Sequence, residues 1–447
     1  MVTLSRSSLN SKKIGIWGLG VSGQKLLNFL APRTESIAIL EKPNIFVSHA
    51  PILAQYSHQC FKDPDERSQF FNACDIIIPS PGIAVDASLL QTGKVHSELD
   101  LFALFNQKTT IAITGSLGKT SITTLLARLL DEPEYIAITG GNIGNGIIES
   151  IQSPANCLVL ELSSFQLEYT QQFFPDIAII TNIYENHLDR HKTLENYIQA
   201  KLNIIRNQKA GQYAIIPATL AEQYDFIMPT KGTLVLCGKT KLDTPDAMVQ
   251  ICTEADGSII LRQHGKSRTL LPACQVSQIS FPQNWVIIAA ALHCLNKVDC
   301  ITQGGLQLPE HRMEDLGEYN GIRYINDSKS TVMQATLAAL QRYSPKSTIV
   351  LLGGLSKGVD RTQLIPLLAG VAHVACFGHE APLLLAACQT HGISSSQHDT
   401  LDAALAHAQS HAQIGATILF SPGGSSYDLF ESYQARGAYF KQLVLSR

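Results

Sequence analysis

The sequence predicts an α/β protein with mainly parallel sheets, divided into three domains. Strand-length apolar runs alternate with helix-length runs along nearly the whole chain, which is typical of parallel sheets covered by helices on both faces. Gly-rich turns follow several of these strands. The length of 447 residues also suggests about three domains. We expect a Rossmann-like domain over 1–96, a central P-loop mononucleotide-binding domain over 97–302 and a C-terminal Rossmann-like domain over 303–447.

The composition excludes several classes of protein. A net charge of −3 lacks the basic excess of a nucleic-acid binder. The 10 cysteines form no Cys-X-X-Cys pair, which predicts reduced thiols. No apolar run approaches the roughly 18 residues of a membrane span, and the polar N-terminus does not resemble a signal peptide. We expect a cytoplasmic monomer that binds neither nucleic acid nor a membrane.

The first predicted strand, residues 14–20, ends in the glycine-rich loop Gly18-Leu19-Gly20-Val21-Ser22-Gly23. The next strand, 36–40, ends in Glu41 and Lys42. This matches the dinucleotide fingerprint, with an acid about 20 residues further on. Such a loop fits a nicotinamide cofactor, but it fits any nucleotide diphosphate as well. A later strand, 75–78, ends in the loop Ser80-Pro81-Gly82, at the kind of strand end where open α/β sheets bind ligands.

The central domain contains a phosphate-binding loop between an apolar strand and a helix over 122–130. It reads Gly115-Ser116-Leu117-Gly118-Lys119-Thr120-Ser121. A turn that opens a helix presents N–H groups and a positive dipole end to phosphate. Lys119 can reach the β- and γ-phosphates, and the Thr120 hydroxyl can bind Mg²⁺. Position 113, where the strict motif has its first glycine, is Ile113, so the loop is a shortened variant.

Three polar residues near this loop are candidates for metal or substrate binding. Glu161 follows the predicted strand 157–160 and can hold Mg²⁺, although it can also be a simple N-terminal charge on the next helix. His187 follows another strand and is a candidate metal ligand or substrate contact, whereas we expect His191 at the surface. Tyr197 and Lys201 lie four apart on a predicted helix, hence on one face. If that face is apolar, the pKa of the lysine should fall. If it faces solvent, Lys201 is an ordinary surface lysine.

Three loops at strand ends of the C-terminal domain carry cations and hydroxyls. They are Asp327-Ser328-Lys329-Ser330-Thr331, Gly353-Gly354-Leu355-Ser356-Lys357 and Ser421-Pro422-Gly423-Gly424-Ser425-Ser426. Each alone can be ordinary turn chemistry. Together they suit a small substrate that bears carboxylates.

These motifs, in this order, resemble the Mur ligases, the ATP-dependent amide-bond-forming enzymes of peptidoglycan precursor synthesis. The resemblance covers nearly the whole chain, and within the family it is strongest to the member that adds D-glutamate. Motifs that carry it include Glu161-Leu162-Ser163-Ser164-Phe165-Gln166-Leu167-Glu168, Asn186-His187-Leu188-Asp189-Arg190, Asn326-Asp327-Ser328-Lys329 and Arg436-Gly437-Ala438-Tyr439-Phe440. The combination is specific, although no single piece is.

The resemblance implies three substrates, namely ATP, UDP-N-acetylmuramoyl-L-alanine and D-glutamate, with Mg²⁺ as cofactor. The UDP-linked substrate would contact Leu19, Gly20, Val21, Ser22, Glu41, Lys42, Ser80, Pro81, Gly82 and Asn142. ATP would contact Gly115, Ser116, Gly118, Lys119, Thr120, Ser121, Asn284, Arg312 and Asp327. The metal would be held by Thr120, Glu161, His187 and Lys201, the last as a carbamate, and the catalytic residues would be Lys119, Glu161, His187 and Lys201. D-Glutamate would contact Lys329, Thr331, Lys357, Ser426 and Tyr433.

The sequence departs from the family pattern at several contact positions. Leu117 stands where the family has Asn or a small polar residue in the phosphate loop. Gln283 replaces a His before Asn284, and Ile287 stands where a second Asn is frequent. Further departures are Glu41-Lys42-Pro43, Leu355-Ser356 and Tyr433. They bear on affinity more than on the reaction.

Other functions stay open at this point. Other amino-acid ligases of the same superfamily share the core, and folylpolyglutamate synthase shares the phosphate loop but lacks the first domain of about 100 residues. A P-loop switch protein that binds nucleotide without catalysis would leave Lys357 and Ser426 unexplained. An NAD-dependent oxidoreductase would need the loop that starts at Gly18 as its cofactor site.

Overall fold

The structure is a computed structural model that describes residues 4–34, 36–53, 59–224, 230–238, 249–273, 282–302 and 310–446. It divides into two compact units. The first unit comprises Met1–Ile183 and Glu195–Leu306, and the second comprises Tyr184–Leu194 and Gln307–Arg447. Each unit is α/β with mainly parallel sheets, which confirms the predicted fold class. The boundaries of the three predicted domains stay a prediction.

The first sheet has four parallel strands in the order β3-β2-β1-β4. The strands are β1 Ile14–Trp17, β2 Ile37–Glu41, β3 Gln59–Lys62 and β4 Ile76–Pro79. β1 and β4 are buried along their whole length, as expected for apolar runs covered on both faces. Because β1 connects first to β2 on one side and later pairs with β4 on the other, the strand order reverses beside β1. Open α/β sheets bind ligands at such a reversal.

The central sheet of the first unit has nine strands in the order β13-β12-β11-β10-β9-β8-β5-β7-β6. They are β5 Thr109–Thr114, β6 Ala137–Gly141, β7 Cys157–Glu161, β8 Ile177–Ile180, β9 Tyr213–Pro217, β10 Thr233–Gly238, β11 Val249–Thr253, β12 Ile259–Gln263 and β13 Lys266–Leu271. β5 lies between β7 and β8, so the phosphate loop leaves the middle of the sheet.

One end of the central sheet is antiparallel. Short alternating strands and turn residues over 239–272 predict a small antiparallel appendage, and the antiparallel strands β11, β12 and β13 are present. However, β11 pairs in parallel with β10, so these strands extend the central sheet. The apolar residues of β11 are buried, which explains why the strand joins the sheet. Residues 239–248 lie outside the described part of the chain.

The sheet of the second unit has six strands in the order β14-β15-β19-β16-β17-β18. They are β14 Glu314–Tyr319, β15 Ile322–Asn326, β16 Thr348–Gly353, β17 His373–Phe377, β18 Ser395–His398 and β19 Thr417–Phe420. Only β14 runs antiparallel to its neighbour among these described strands. The carboxyl ends of β15, β19 and β16 are adjacent, and each leads into one of the three loops predicted to bind substrate.

Helices cover the sheets. In the first unit they are Arg6–Ser11, Val21–Leu30, Pro43–Ser48, Ala50–Leu53, Arg67–Ala73, Ala87–Gln91, Glu98–Phe105, Lys119–Leu130, Ile147–Ile151, Ser164–Leu167, Leu194–Arg206, Ala218–Tyr224 and Pro282–Cys294, with a 3₁₀ helix at Val298–Thr302. The second unit has Leu188–His191, Met333–Leu340, Ala381–Thr390, Leu401–His411 and Tyr433–Leu445, with 3₁₀ helices at Pro345–Ser347 and Arg361–Leu368. Among the described helices, none is long and apolar enough to cross a membrane.

The helix Pro282–Cys294 shows how burial shapes the first unit. Its residues from Trp285 to Leu292 are all buried, as expected of a helix that is apolar on every side. It packs against β9, β10 and β11 and against the helix Lys119–Leu130. This packing holds Asn284, at the start of the helix, close to the phosphate loop.

Candidate active site

The phosphate loop lies between the end of β5 and the helix Lys119–Leu130. Gly115 and Gly118 have φ values of 141° and 84°, a region that side chains rarely adopt. A Cβ at Gly115 would also collide with the Thr181 hydroxyl. Glycine is therefore required at both positions, and the turn aims the first N–H groups of the helix at one point.

Asn182 holds the loop from the neighbouring strand. Its side-chain oxygen accepts from the Leu117 N–H at 2.8 Å, and its backbone oxygen accepts from the Ser116 N–H at 3.0 Å. Its amide nitrogen donates to the Leu117 carbonyl at 3.2 Å. These bonds use only the main chain of Leu117, which explains why an apolar side chain is tolerated there. They also engage the N–H groups of Ser116 and Leu117, of which Ser116 is a predicted ATP contact.

Lys119 is folded back over its own loop. Its Nζ donates to the carbonyls of Gly115 at 2.6 Å and Ser116 at 3.2 Å. A lysine that reaches the phosphates of a nucleotide would exchange these carbonyls for phosphate oxygens. Thr120 and Ser121 are buried in the first turn of the helix.

Glu161 is the last residue of β7, directly beside β5. Its side chain is buried, and within the described chain its Oε2 has no hydrogen-bond partner. A buried carboxylate oxygen without a partner is costly unless a cation or donor satisfies it. No group of three or more His, Cys, Asp or Glu side chains in the described residues is arranged to hold a metal. Mg²⁺, however, commonly uses one or two carboxylates with phosphate oxygens and waters, and Glu161 and Thr120 fit that pattern.

Lys201 is buried on the inner face of the helix Leu194–Arg206, with 1% of its surface exposed. Its Nζ donates to the Gly115 carbonyl at 3.0 Å and the Thr114 hydroxyl at 3.3 Å. It lies 4.6 Å from the ring centroid of Tyr197, whose hydroxyl is 3.0 Å from the Ser116 hydroxyl. Burial, and then the charge of Lys119, hold the pKa of the amine well below its ordinary value, while Glu161 opposes this shift. Of the two alternatives that the sequence left open, the burial of Lys201 favours the apolar face of the helix.

Two asparagines complete this group in the first unit. A Cβ added to Gly118 would lie 3.1 Å from Oδ1 of Asn284, so that amide is beside the phosphate loop. The backbone N–H of Asn142 donates to the Glu161 carbonyl at 2.9 Å. The structure thus brings Lys119, Thr120, Glu161, Lys201, Asn142 and Asn284 into one region.

The first sheet brings together the residues predicted for the UDP-linked substrate. Glu41 accepts from the Leu19 N–H at 2.6 Å and from the Lys42 N–H at 2.8 Å. Ser80 donates through its hydroxyl to the Gly18 carbonyl at 3.2 Å. These bonds connect the ends of β2, β1 and β4, so that the loops with Gly20, Val21, Ser22, Pro81 and Gly82 meet at one edge. Glu41 holds the loop itself, a role that the sequence did not predict.

His187 lies in the segment Tyr184–Leu194, which belongs to the second unit. Its φ of 56° places it in the left-handed region, directly before the single turn Leu188–His191. The expectation for His191 was wrong, because its side chain is buried, with 4% exposed. A helix of one turn has too few residues for its burial pattern to be read from sequence.

In the second unit, the structure brings together several residues predicted for the amino acid. Lys357 Nζ donates to the Thr331 hydroxyl at 3.3 Å. Lys329 Nζ lies 3.9 Å from the ring centroid of Tyr433. A pocket is lined by both Thr331 and Lys357, and by Glu185, Asn186, Val332, Met333, Gln334, Ser356, Val359, Arg361, Leu364 and Gly423. Ser426 is buried in the third loop and does not line this pocket.

Arg312 and Asp327 occupy a tightly held corner of the second unit. Both neighbours of Arg312 are strained, since His311 and Met313 have φ of 62° and 47°. Within the described chain, Nε of Arg312 is buried without a partner. Asp327 accepts from the Met313 N–H at 3.2 Å and the Ser421 hydroxyl at 2.8 Å. Burial raises the pKa of Asp327 to about 6, against the opposing charge of Arg312.

Comparison with known proteins decides the family. The family models described as "Mur ligase middle domain" and "Mur ligase, glutamate ligase domain" match residues 113–245 and 311–424. A protein of Solibacter usitatus named UDP-N-acetylmuramoylalanine--D-glutamate ligase is 34% identical over 390 residues, covering 84% of this chain and 85% of that protein. The chain belongs to the Mur ligase family. A protein of the same name from Geotalea uraniireducens is 32% identical and covers 98% of both chains. Mur ligases use ATP and form ADP.

Solved Mur ligase structures share the fold. A pseudomurein peptide ligase type C from Methanothermus fervidus matches with a TM-score of 0.59 at 15% identity, covering 97% of this chain and 99% of that chain. MurF ligase from Thermotoga maritima, solved with ADP, matches with a TM-score of 0.56 at 18% identity, covering 92% and 94%.

Some residues that shape these Mur ligase loops were not predicted from the sequence. Asn182 belongs to the polar segment that follows β8, but the sequence assigns it no role. Arg361 and Glu380 carry no local motif. Arg436 belongs to one of the motifs that carry the family resemblance, but the sequence assigns it no role either. A charged residue in an apolar helix pattern is the signal that could have found Arg436.

Proposed function

We propose that this chain is an ATP-dependent ligase that adds D-glutamate to UDP-N-acetylmuramoyl-L-alanine. The observation that carries the proposal is the grouping of Lys119 with the buried Glu161 and Lys201 around a phosphate loop, in a chain that also has a lysine-lined pocket for a carboxylate-bearing substrate. The names of the curated relatives support the choice of substrates. We also propose that it acts as a cytoplasmic monomer.

ATP would bind with its phosphates at the loop. Lys119 would move from the carbonyls of Gly115 and Ser116 to the phosphates, and Gly118, Thr120 and Ser121 would present N–H groups of the first helical turn. Asn284 would contact ATP beside the loop, and Arg312 and Asp327 would contribute from the second unit. Mg²⁺, held by Thr120, Glu161 and His187, would supply charge neutralisation at the phosphates.

Lys201 would serve this site as a carbamate. Burial lowers the pKa of its amine and so favours the neutral form, and a neutral amine can attack CO₂ to form an N–C bond with release of one proton. The product is an anion, which adds a second carboxylate near Glu161, and bound Mg²⁺ would offset the negative charge of both. Lys201→Ala should lose nearly all activity, and a short carboxylic acid should restore part of it. Full activity of this variant would remove Lys201 from the mechanism.

The reaction would take two steps. The carboxylate of the L-alanyl group attacks the γ-phosphorus of ATP, which forms an acyl phosphate and releases ADP. The amine of D-glutamate then attacks the acyl carbon, which forms the amide and releases phosphate and a proton. No protein nucleophile is needed, because Lys119 and the loop N–H groups stabilise the developing charge.

The acceptor and the amino acid would bind in different places. The uridine diphosphate would bind at the edge formed by the loops at Leu19, Glu41 and Ser80, with Asn142 near the same substrate. D-Glutamate would bind through Lys357, Thr331 and Ser426, with Lys329 and Tyr433 beside them.

The test is phosphate release with ATP, Mg²⁺ and UDP-N-acetylmuramoyl-L-alanine, while D-glutamate, L-alanine, L-lysine, meso-diaminopimelate and D-alanyl-D-alanine are offered in turn. We expect release with D-glutamate only, and negligible ATP hydrolysis without both other substrates. Lys119→Ala should be inactive, and Lys266→Ala, at an exposed lysine of the same unit, should match the wild type. Rapid hydrolysis of ATP with Mg²⁺ alone would contradict the proposal.

A further inference from the structure

Arg436 lies in the helix Tyr433–Leu445 with none of its surface exposed. Its Nε donates to the Ser328 hydroxyl at 3.1 Å, its Nη2 to the Ser328 carbonyl at 2.8 Å and its Nη1 to the Gly424 carbonyl at 3.0 Å. One guanidinium therefore joins the loop that follows β15 to the loop that follows β19. A lysine cannot replace this planar fork, because its three donors leave from a single atom.

Arg361 is a second buried arginine, and it holds the loop after β16. It donates to the carbonyls of Gly353, at 2.8 Å, and of Gly354, and forms an ion pair with Glu380 at 2.9 Å. Glu380 in turn accepts from the N–H and hydroxyl of Ser356, the residue before the predicted substrate lysine.

The loops after β16 and β19 are also joined directly. Leu355 and Ser425 exchange backbone hydrogen bonds of 2.9 and 2.8 Å. A Cβ at Gly354 would lie 2.8 Å from Nη1 of Arg436, so the glycine leaves room for the guanidinium. All three loops with predicted substrate residues thus depend on two buried arginines.

The charges of the two arginines are balanced differently. Arg361 has the carboxylate of Glu380 as its partner, whereas no carboxylate of the described chain lies within ion-pair distance of Arg436. Burial lowers the pKa of Arg436 to about 10, against the longer-range charges of Asp428 and Asp327. At neutral pH the side chain is still a cation, held by neutral acceptors only. A buried charge of this kind favours the binding of an anion nearby.

We propose that Arg436 is a positioning residue of the amino-acid site, which fixes the loops carrying Thr331 and Ser426 and supplies a buried positive charge that favours an acidic amino acid. The inference rests on the proposed function, since D-glutamate is the acid in question. Arg436 is not placed in contact with substrate. Its effect would come through the loops and through the electrostatic potential that they enclose.

The test compares Arg436→Lys, which keeps the charge but loses the fork, with Arg436→Gln, which loses the charge. We expect the KM for D-glutamate to rise about tenfold in Arg436→Lys and further in Arg436→Gln, with the KM for UDP-N-acetylmuramoyl-L-alanine within twofold of wild type. Arg323→Lys is the matched control, because Arg323 is an exposed arginine of the same unit in an ion pair with Asp315. It should behave as wild type.

If Arg436→Lys and Arg436→Gln fail to fold, a milder variant still tests the inference. Ser328→Ala removes only one acceptor of Arg436, and we expect about a threefold rise in the KM for D-glutamate. A lower melting temperature with an unchanged KM for D-glutamate in any of these variants would assign Arg436 a structural role and overturn the inference. If the wild type releases no phosphate in response to D-glutamate, the proposed function fails and this inference fails with it.

Discussion

Replacing Lys201 by Met should change how the stability of the first unit depends on pH. An unfolded lysine titrates near 10.4, whereas burial holds the pKa of Lys201 well below that value. Between the two pKa values the unfolded chain binds one more proton than the folded chain, so stability rises with pH and is reduced as pH falls. The slope is about 1.4 kcal/mol per pH unit. The methionine of Lys201→Met does not titrate, so this contribution to the pH dependence of stability is absent in the variant.

The magnitude follows from this slope. From about pH 8 to about pH 9.5 the wild type should gain stability relative to Lys201→Met, by at most roughly 2 kcal/mol. Met is an apolar side chain of similar length, so the variant should be at least as stable as the wild type near pH 8. It should nevertheless be nearly inactive.

The assay can be confined to the relevant part of the molecule. The chain has 2 tryptophans, and both Trp17 and Trp285 lie in the first unit with Lys201. Their fluorescence during urea unfolding, in buffer free of CO₂ so that no carbamate forms, reports the stability of that unit. Lys266→Met, at an exposed lysine of the same unit, should stay parallel to the wild type at both pH values. A stability difference between Lys201→Met and wild type that does not change with pH would refute the reasoning.

Substitutions at Glu161, Gly23 and His373 should each have a measurable effect. Glu161→Gln should lower kcat/KM in the phosphate-release assay by roughly 100-fold or more, because it removes the buried anionic ligand proposed for the metal. If phosphate release by this variant depended on Mg²⁺ concentration as it does in the wild type, Glu161 would not be a metal ligand. Gly23→Val should destabilise the first unit by about 1–3 kcal/mol, measured by Trp17 fluorescence, because the added Cβ would collide with the Gly18 carbonyl. Burial and neighbouring imidazoles lower the pKa of His373 to about 4. The neutral imidazole therefore stabilises the folded state fully above about pH 6.5, and this stabilisation is lost as pH falls towards 4. His373→Asn should therefore flatten the acid dependence of thermal unfolding of the second unit, followed by circular dichroism, and an unchanged dependence would exclude His373 as its source.

The sequence predicted the parallel architecture because its strands are short, apolar and buried on both faces. The predicted strands 36–40, 75–78 and 157–160 match β2, β4 and β7 to within one residue at each end. The edge strands β3, β14 and β18 were missed, since they carry polar side chains and lack a continuous apolar run.

The candidate site was predictable where it depends on local spacing. Lys201 and Tyr197 share a buried face because four residues make about one helical turn. The two-way bonds of Asn182 to Leu117, and the role of Glu41 in holding the loop at Leu19, depend on neighbouring strands that are distant in sequence. Hydrophobic periodicity contains no information on such contacts.

The segment Tyr184–Leu194 belongs to the second unit although the chain on both sides of it belongs to the first. The polypeptide therefore passes between the units three times. During synthesis this segment leaves the ribosome long before the rest of its own unit exists, so it must wait for partners that begin at Gln307. A fragment that starts at Gln307 would also lack it, along with Glu185 and Asn186 of the pocket wall. Dissection of this protein between Leu306 and Gln307 would thus yield an incomplete second unit.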